Sequence, residues 1–367
     1  MTRTRSVSRR TILAGTVLGG LAAGTVLGGL AAAVAAGPAL AQGTPPATPP
    51  AAAPVKARIG VIPILGAAPV FVADREGWLK AAGIEATFTT FESGPNMIAA
   101  LASGTIDIYV AGVAPLVVAR SRGVDVRVVA ATAVEEMTFV ATAKLARHFE
   151  PGVTPAEAFR RYRAAAGSPA RLATQPAGSV PNTTLQHWLW EVGKVDKADV
   201  TIVPMGIDAT QQAVQVGAVE GATVREPAVA IVRGRDPGIR LVALGGEMFP
   251  GQPGTVVAAT AAFLDKNPAQ AQALVDAVVR AVRLIQEDPA RAAPPIEAAL
   301  GKGIIDSATI RAALASPASK FVADPRSIVT ATAAMQRYQV TLGTLDRELP
   351  LDGLFEPRYF VRATATQ

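Results

Sequence analysis

Short apolar runs alternate along the chain with segments whose apolar residues recur every three or four positions, and glycine closes most of the latter. Residues 55–62 predict a strand. Residues 69–82 predict a helix with Val70, Phe71, Trp78 and Leu79 on its apolar face and Gly83 as its stop. A second strand is expected at 84–90, a helix from Gly94 to Gly104, a strand at 106–110, and a helix at 113–121 that ends before Gly123. A valine-rich strand follows at 124–132, and 137–143 is a fifth strand candidate. Strand and helix alternating at this spacing predict right-handed βαβ units. The nearly unbroken run VDVRVVAATAV fits a strand covered on both faces.

The pattern then restarts. Helices are expected at 155–166, 180–192, 208–216 and 227–232, with strands at 171–174, 200–203, 221–224 and 240–243. This is a second α/β unit of about one hundred residues. After a last strand at 255–260 the chain reads as helical. Asn267-Pro268 is a start signal, and Leu274, Val275, Val278, Val279, Val282 and Ile285 mark one helical face. Further helices are expected at 289–300, 306–315 and 327–342, so that a helical tail returns to the first unit and wraps it.

The N-terminus has a different character. Ser8-Arg9-Arg10-Thr11-Ile12-Leu13 precedes an uncharged stretch to Ala41, which contains a tandem repeat (TVLGGLAAG, TVLGGLAAA) and ends in Ala39-Leu40-Ala41. Basic flank, apolar middle and small-residue exit are the parts of an export signal, here of the twin-arginine type, cleaved near Ala41. An uncleaved anchor is the other reading, because the stretch is long enough to span a bilayer. Residues 42–54 (QGTPPATPPAAAP) form a Pro/Ala tether. The expected location of the mature chain is periplasmic, and the twin-arginine (Tat) machinery is the expected export partner.

Charge looks strongly basic at +6, but Arg3, Arg5, Arg9 and Arg10 all lie in the signal. Without them the balance is close to neutral, so no case for nucleic acid remains. Aromatics are only 5% of the residues, too few for a base-stacking surface. The chain has no cysteine and only His148 and His187. Thiolate nucleophiles, Cys-ligated zinc, iron–sulfur clusters and His-rich metal sites are therefore ruled out. No Gly-x-Ser-x-Gly elbow, phosphate loop, GxGxxG or HExxH occurs. No catalytic residue, metal or cofactor is expected.

In open α/β sheets ligands sit beyond the carboxyl ends of the strands, against helix N-termini. The turns there are 65–69, 91–94, 111–114, 176–180, 206–208 and 225–227, rich in small residues that let a ligand approach the backbone N–H groups. Ordinary turn chemistry explains each one singly. As two sets on two units they suggest facing binding rims. The candidate ligand-binding residues are Leu65, Ala67, Ala68, Ser93, Gly94, Gly112, Val113, Ala114, Gly178, Ser179, Val180, Asp208, Arg225 and Glu226, with Glu136 added from the pair Glu135-Glu136. Arg225 can clamp an anion or join a rim salt bridge. Glu136 can hold a cationic group or sit in a solvated turn.

Several stretches together resemble the periplasmic substrate-binding proteins of ABC importers, in the nitrate/sulfonate/taurine branch that includes thiamine-pyrimidine-binding proteins. They are Ala68-Pro69-Val70-Phe71-Val72-Ala73 with Gly77-Trp78-Leu79-Lys80-Ala81-Ala82-Gly83-Ile84, then Leu101-Ala102-Ser103-Gly104-Thr105-Ile106-Asp107 and Ala111-Gly112, then Ala177-Gly178-Ser179, Val216-Gly217-Ala218-Val219-Glu220-Gly221-Ala222 and Arg225-Glu226-Pro227. The likeness runs through 57–290. It departs at Glu220, where the family has Asp, in the apolar turn 65–68, and in the basic segment 144–170.

The resemblance implies an α/β fold of two hinged lobes (type II periplasmic binding protein-like), each a mostly parallel sheet flanked by helices. Lobe 1 would comprise 55–143 and 246–367, and lobe 2 would be the insert 144–245. It implies a monomer that takes a small-molecule ligand, a small organic anion, in the interlobe cleft and delivers it to a membrane ABC permease. A thiamine-type heterocycle, and ligand sensing for a membrane receptor, are the alternatives. An enzyme of the same fold is disfavoured by the lack of Cys and the two His.

Overall fold

The computed structural model describes residues 53–301 and 305–365. The expected export signal, its expected cleavage site and most of the expected tether lie outside the described residues. No helix among the described residues is long and apolar enough to cross a membrane.

The strands are β1 (Val55–Val61), β2 (Ile84–Thr90), β3 (Ile108–Gly112), β4 (Val126–Ala131), β5 (Ala133–Val134), β6 (Thr138–Ala141), β7 (Ala170–Thr174), β8 (Val200–Pro204), β9 (Gly221–Val224), β10 (Arg240–Leu244), β11 (Thr255–Thr260) and β12 (Lys320–Phe321). One five-stranded sheet has the order β2-β1-β3-β11-β4 and a second has β10-β6-β9-β7-β8; β12 pairs with β5 in a two-stranded ribbon. This is the expected α/β class with two lobes.

Burial along each strand follows its place in the sheet. Every residue of β3 is buried, and so are the first five of β11, because both strands sit in the middle with helices on either face. The edge strand β2 exposes alternate residues, as a strand covered on one face does.

Four of the five strands in each sheet point the same way, as expected of a mostly parallel sheet; the exceptions are β11, antiparallel to β3 and β4, and β6, antiparallel to β9 and β10. Each of these reversed strands is the first of its sheet after a crossing between lobes, so it enters from the opposite end. The strand expected at 137–143 as the fifth of lobe 1 is β6 of the second sheet. The change of sheet therefore falls between Val134 and Thr138, ahead of the expected boundary at 143. The chain returns to the first sheet between β10 and β11.

The first core surrounds the larger sheet, with helix Pro268–Glu287 laying Leu274, Val275, Val278, Val282 and Ile285 against it. The second sheet has a core on each face. One face is aromatic: Phe139 lies 4.7 Å from Trp188 and 6.3 Å from Phe159 between ring centroids. Gly221 lies under this ring, and a Cβ there would fall 2.4 Å from Phe139 Cζ. Phe139→Ala empties the centre of a fully buried cluster. It should cost about 3–5 kcal/mol in urea unfolding, and a loss below about 1 kcal/mol would refute that packing role.

The helical tail does wrap lobe 1. Helix Arg358–Ala365 packs on Pro268–Glu287, and Val128 exchanges backbone hydrogen bonds with Leu354 and Glu356 at 2.7 and 2.8 Å. The tail also reaches lobe 2, which the sequence pattern does not indicate. Helix Ser307–Leu314 packs on Ala228–Arg235, and helix Val329–Thr341 packs on both Ala114–Ser121 and Val180–His187.

Candidate functional site

The carboxyl ends of β1, β2 and β3 meet those of β7, β8 and β9, so the lobes touch directly. The N–H of Leu65 donates to the Glu226 carbonyl at 2.8 Å, and the N–H of Ile207 donates to the Glu92 carbonyl at 3.1 Å. Gly112 abuts Val180, where a Cβ on the glycine would lie 2.6 Å from Val180 Cγ2. Tyr109 helps to hold that turn, its buried hydroxyl donating to the Gly112 carbonyl at 2.8 Å. Burial pushes this hydroxyl above its ordinary value, against the positive charge of Arg225. A small apolar cluster of Ala114, Met137, Val180, Phe249, Met335 and Tyr338 closes the seam on the hinge side.

An ion pair stands at the base of the seam. Arg225 follows β9 and is 3% exposed; Glu136 precedes β6 and is 4% exposed. Arg225 Nη1 donates to Glu136 Oε1 at 3.2 Å, and Thr255 Oγ1 donates to the same oxygen at 2.6 Å. Arg225 Nη2 lies 3.5 Å from Gln175 Oε1. The group thus ties the hinge (Glu136) and lobe 1 (Thr255) to two strand ends of lobe 2 (Gln175, Arg225). Arg225 Nε and Glu136 Oε2 are buried without partners among the described residues. Two charges removed from water depend on each other's presence.

A cavity of about 470 Å³ opens beside this pair. Ile64 and Leu300 wall it from lobe 1, Ile207 and Ile231 from lobe 2. Asp208, Gln211, Gln212, Arg225 and Arg235 supply its polar groups. Arg235 is exposed, with no ion-pair partner among the described residues. A volume in this range with apolar walls and several convergent polar groups suits a small organic molecule.

Of the expected residues, Arg225 and Asp208 line this cavity, Asp208 at its exposed rim. Leu65, Glu136 and Glu226 line a much smaller pocket beside it. Gly112, Val180 and Ala114 are spent on lobe-to-lobe packing. Val113 donates its N–H to the Gly254 carbonyl at 3.2 Å, and Ala67 and Ala68 are buried at the start of helix Ala68–Arg75. Ser93 and Ser179 cap helices, their hydroxyls accepting from the N–H of Asn96 and Asn182. Gly94 packs against Tyr109 and Pro115. Gly178 lines a separate cavity of about 340 Å³ on the far side of the seam, and its carbonyl accepts from Gln339 Nε2 at 3.3 Å.

The sequence pattern missed Gln175, Thr255, Gln211, Gln212, Arg235 and Gln339. Gln175 directly follows β7 and Thr255 opens β11, so the strand-end rule reaches both once it is applied to the flanking residue itself. Gln339 sits on a tail helix and carries no local signal.

No group of His, Asp and Glu that could hold a metal occurs among the described residues. His148 is half-buried, edge-on to Tyr162 at 5.9 Å, where burial and the charges of Arg147 and Arg161 lower its pKa. His187 Nδ1 lies 2.8 Å from the Met248 carbonyl with its ring against Phe249 and Tyr338, a packing role.

The fold has many solved counterparts. The alkanesulfonate-binding protein SsuA from Xanthomonas axonopodis pv. citri, bound to MOPS, matches 84% of this chain and 100% of its own at 20% identity and a TM-score of 0.67. The periplasmic nitrate-binding protein NrtA from Synechocystis PCC 6803 matches 85% and 89% at 15% identity and a TM-score of 0.71. The desulfurization enzyme DSZB matches 85% and 99% at 14% identity and a TM-score of 0.57. At these identities the likeness is one of fold, shared by binding proteins and an enzyme. No curated protein matches the chain significantly by sequence. The model of the NMT1-like family matches residues 50–299, more than half of the chain, and the protein belongs to that family.

Proposed function

We propose that the protein is an exported solute-binding protein that captures a small organic anion between its lobes and hands it to a membrane ABC permease. The observation that carries this reading is the 470 Å³ cavity walled by both lobes, with Arg225 on its inner side and Arg235 beside it. The bound anion's charged group would face Arg225 and Arg235, and its apolar body would lie along Ile64, Ile207 and Ile231. A ligand that touches both lobes gains contacts when they close, so it shifts the population towards the closed form about the hinge. The twin-arginine-type leader supports export, and the binding-protein neighbours support transport over catalysis.

Glu136 weighs against the thiamine-type heterocycle. One of its oxygens is held by Arg225 and Thr255, and it lines a pocket of only about 10 Å³. Asp208 is the carboxylate left to the large cavity.

The test is thermal unfolding of residues 42–367 against nitrate, alkyl and aryl sulfonates, aromatic carboxylates and thiamine-type pyrimidines. A true ligand at about 100 times its Kd should stabilise by roughly 2.7 kcal/mol. Equal stabilisation by a neutral analogue would remove the anion reading. No response from any compound would remove this ligand range.

A further inference from the structure

The small pocket beside the Arg225–Glu136 pair has a volume of about 10 Å³. That is close to the least space that holds one water molecule. Its lining comes from three parts of the chain: Leu65 and Gly66 from lobe 1, Glu226 from lobe 2, and Ser319 and Lys320 from the tail, with Glu136 at the hinge. Both carboxyl groups belong to buried residues, Glu136 at 4% exposure and Glu226 at 5%. Glu136 Oε2 has no partner among the described residues. Gly66 leaves that oxygen room, because a Cβ there would lie 2.3 Å from it. Glu226 Oε2 accepts from the Ala230 N–H at 3.1 Å.

Charge constrains what can bind. Glu136 is paired with Arg225, and Glu135 with Lys320. Glu226 is the third carboxyl of the cluster, and Arg233 acts on it only through space. Among the described residues Glu226 has no ion-pair partner, so it is the one carboxyl of the three whose protonation breaks no salt bridge. A buried, partnerless carboxylate oxygen calls for a donor.

We propose that this pocket binds one water molecule and one proton when the lobes close, the water donating to Glu136 Oε2 and accepting from the protonated Glu226. The proton comes from solvent. No covalent bond changes. The site exists only where Leu65 and Glu226 meet, so opening the lobes disperses it. By linkage, whatever favours the closed form takes up a proton, and acid favours closure. The inference rests on lobe closure and not on the ligand's identity.

The direction agrees with the state of Glu226. Burial pushes its carboxyl above the ordinary value, against the hydrogen bonds from Ser316 and Ala230 and the charge of Arg233. An acid whose pKa is raised by folding contributes stability below its unfolded value. That contribution is lost as pH rises through the folded value.

Three ligand-free measurements test this. A high-resolution crystal structure of residues 42–367 at about pH 5 should show one water in hydrogen-bonding range of both carboxyls. Urea unfolding from about pH 5 to 8 should lose up to about tenfold in the folding equilibrium per pH unit across the Glu226 titration. Glu226→Gln should flatten that dependence, and Glu136→Gln should leave part of it. Carboxyl ¹³C NMR of the unmutated protein should show the Glu226 carboxyl titrating above its ordinary value, whether or not the variants fold. A dry pocket, or a Glu226→Gln profile parallel to that of the unmutated protein, overturns the proposal. Neither result depends on the ligand panel.

Discussion

Arg225→Ala should cost about 3–5 kcal/mol of folding stability, the range for breaking one side of a buried pair. The cause is what the substitution leaves behind. Glu136 is 4% exposed, and its Oε1 would keep only the Thr255 hydroxyl. Gln175 would lose its contact with Arg225 as well. Because single domains are stable by only about 5–15 kcal/mol, this one change should bring the protein near its unfolding threshold. The double variant Arg225→Met with Glu136→Gln should recover much of the loss, since both charges are then gone. A double-mutant cycle in urea measures the coupling. A single-variant loss under about 1 kcal/mol would mean that the pair is solvated and that the seam is looser than described. Any anion bound at Arg225 should be lost in both variants, which separates the ligand role from the structural one.

Gly112→Ala should open the protein rather than unfold it. The new Cβ would stand 2.6 Å from Val180 Cγ2 and 3.1 Å from its Cβ, and Val180 belongs to the other lobe. Overpacking of this kind costs about 1–3 kcal/mol. The clash exists only where the lobes touch, so the cost falls on the closed form. The open-to-closed ratio should shift by about 5- to 150-fold. Spin labels on Thr87→Cys and Thr201→Cys, both exposed, report the interlobe distance, and the absence of native cysteine keeps the labelling specific. Val180→Ala should restore closure in the double variant by removing the clashing methyls. An unchanged distance distribution in Gly112→Ala would show that Val180 yields within its own lobe.

The local pattern carried much of the fold. Most strand and helix positions up to β11 follow from apolar spacing and glycine stops, because those signals sit within each element; the two-residue strand β5 and the one-turn helices Ala143–Ala146 and Gly245–Met248 do not. The reversal of β6 and β11 and the sheet that β6 joins did not follow. β6 pairs with β9 across about eighty residues, and nothing in the run Thr138-Phe139-Val140-Ala141 tells which lobe a four-residue buried strand will join. The candidate site divided in the same way. The strand-end rule led to Arg225 and Asp208. It could not tell that Gly112 and Val180 would fill the seam, or that the hydroxyls of Ser93 and Ser179 would be used as caps. Glu136 and Arg225 are 89 residues apart, and only the folded chain brings them together. Helix Arg358–Ala365 and strand β12 were missed because each is short and owes its form to what it packs on.

The two sheets also differ in when they can be completed. All five strands of the second lie between Thr138 and Leu244, whereas the first needs β1 near the start of the fold and β11 at Thr255–Thr260. During synthesis the later-starting sheet is therefore the first to have all its strands. Until β11 arrives, β3 and β4 lack the strand that joins them, and the inserted lobe occupies the chain between. Its own folding draws the ends of that long segment together and lowers the entropy of closing it. The guest lobe would then act as the folding template for its host.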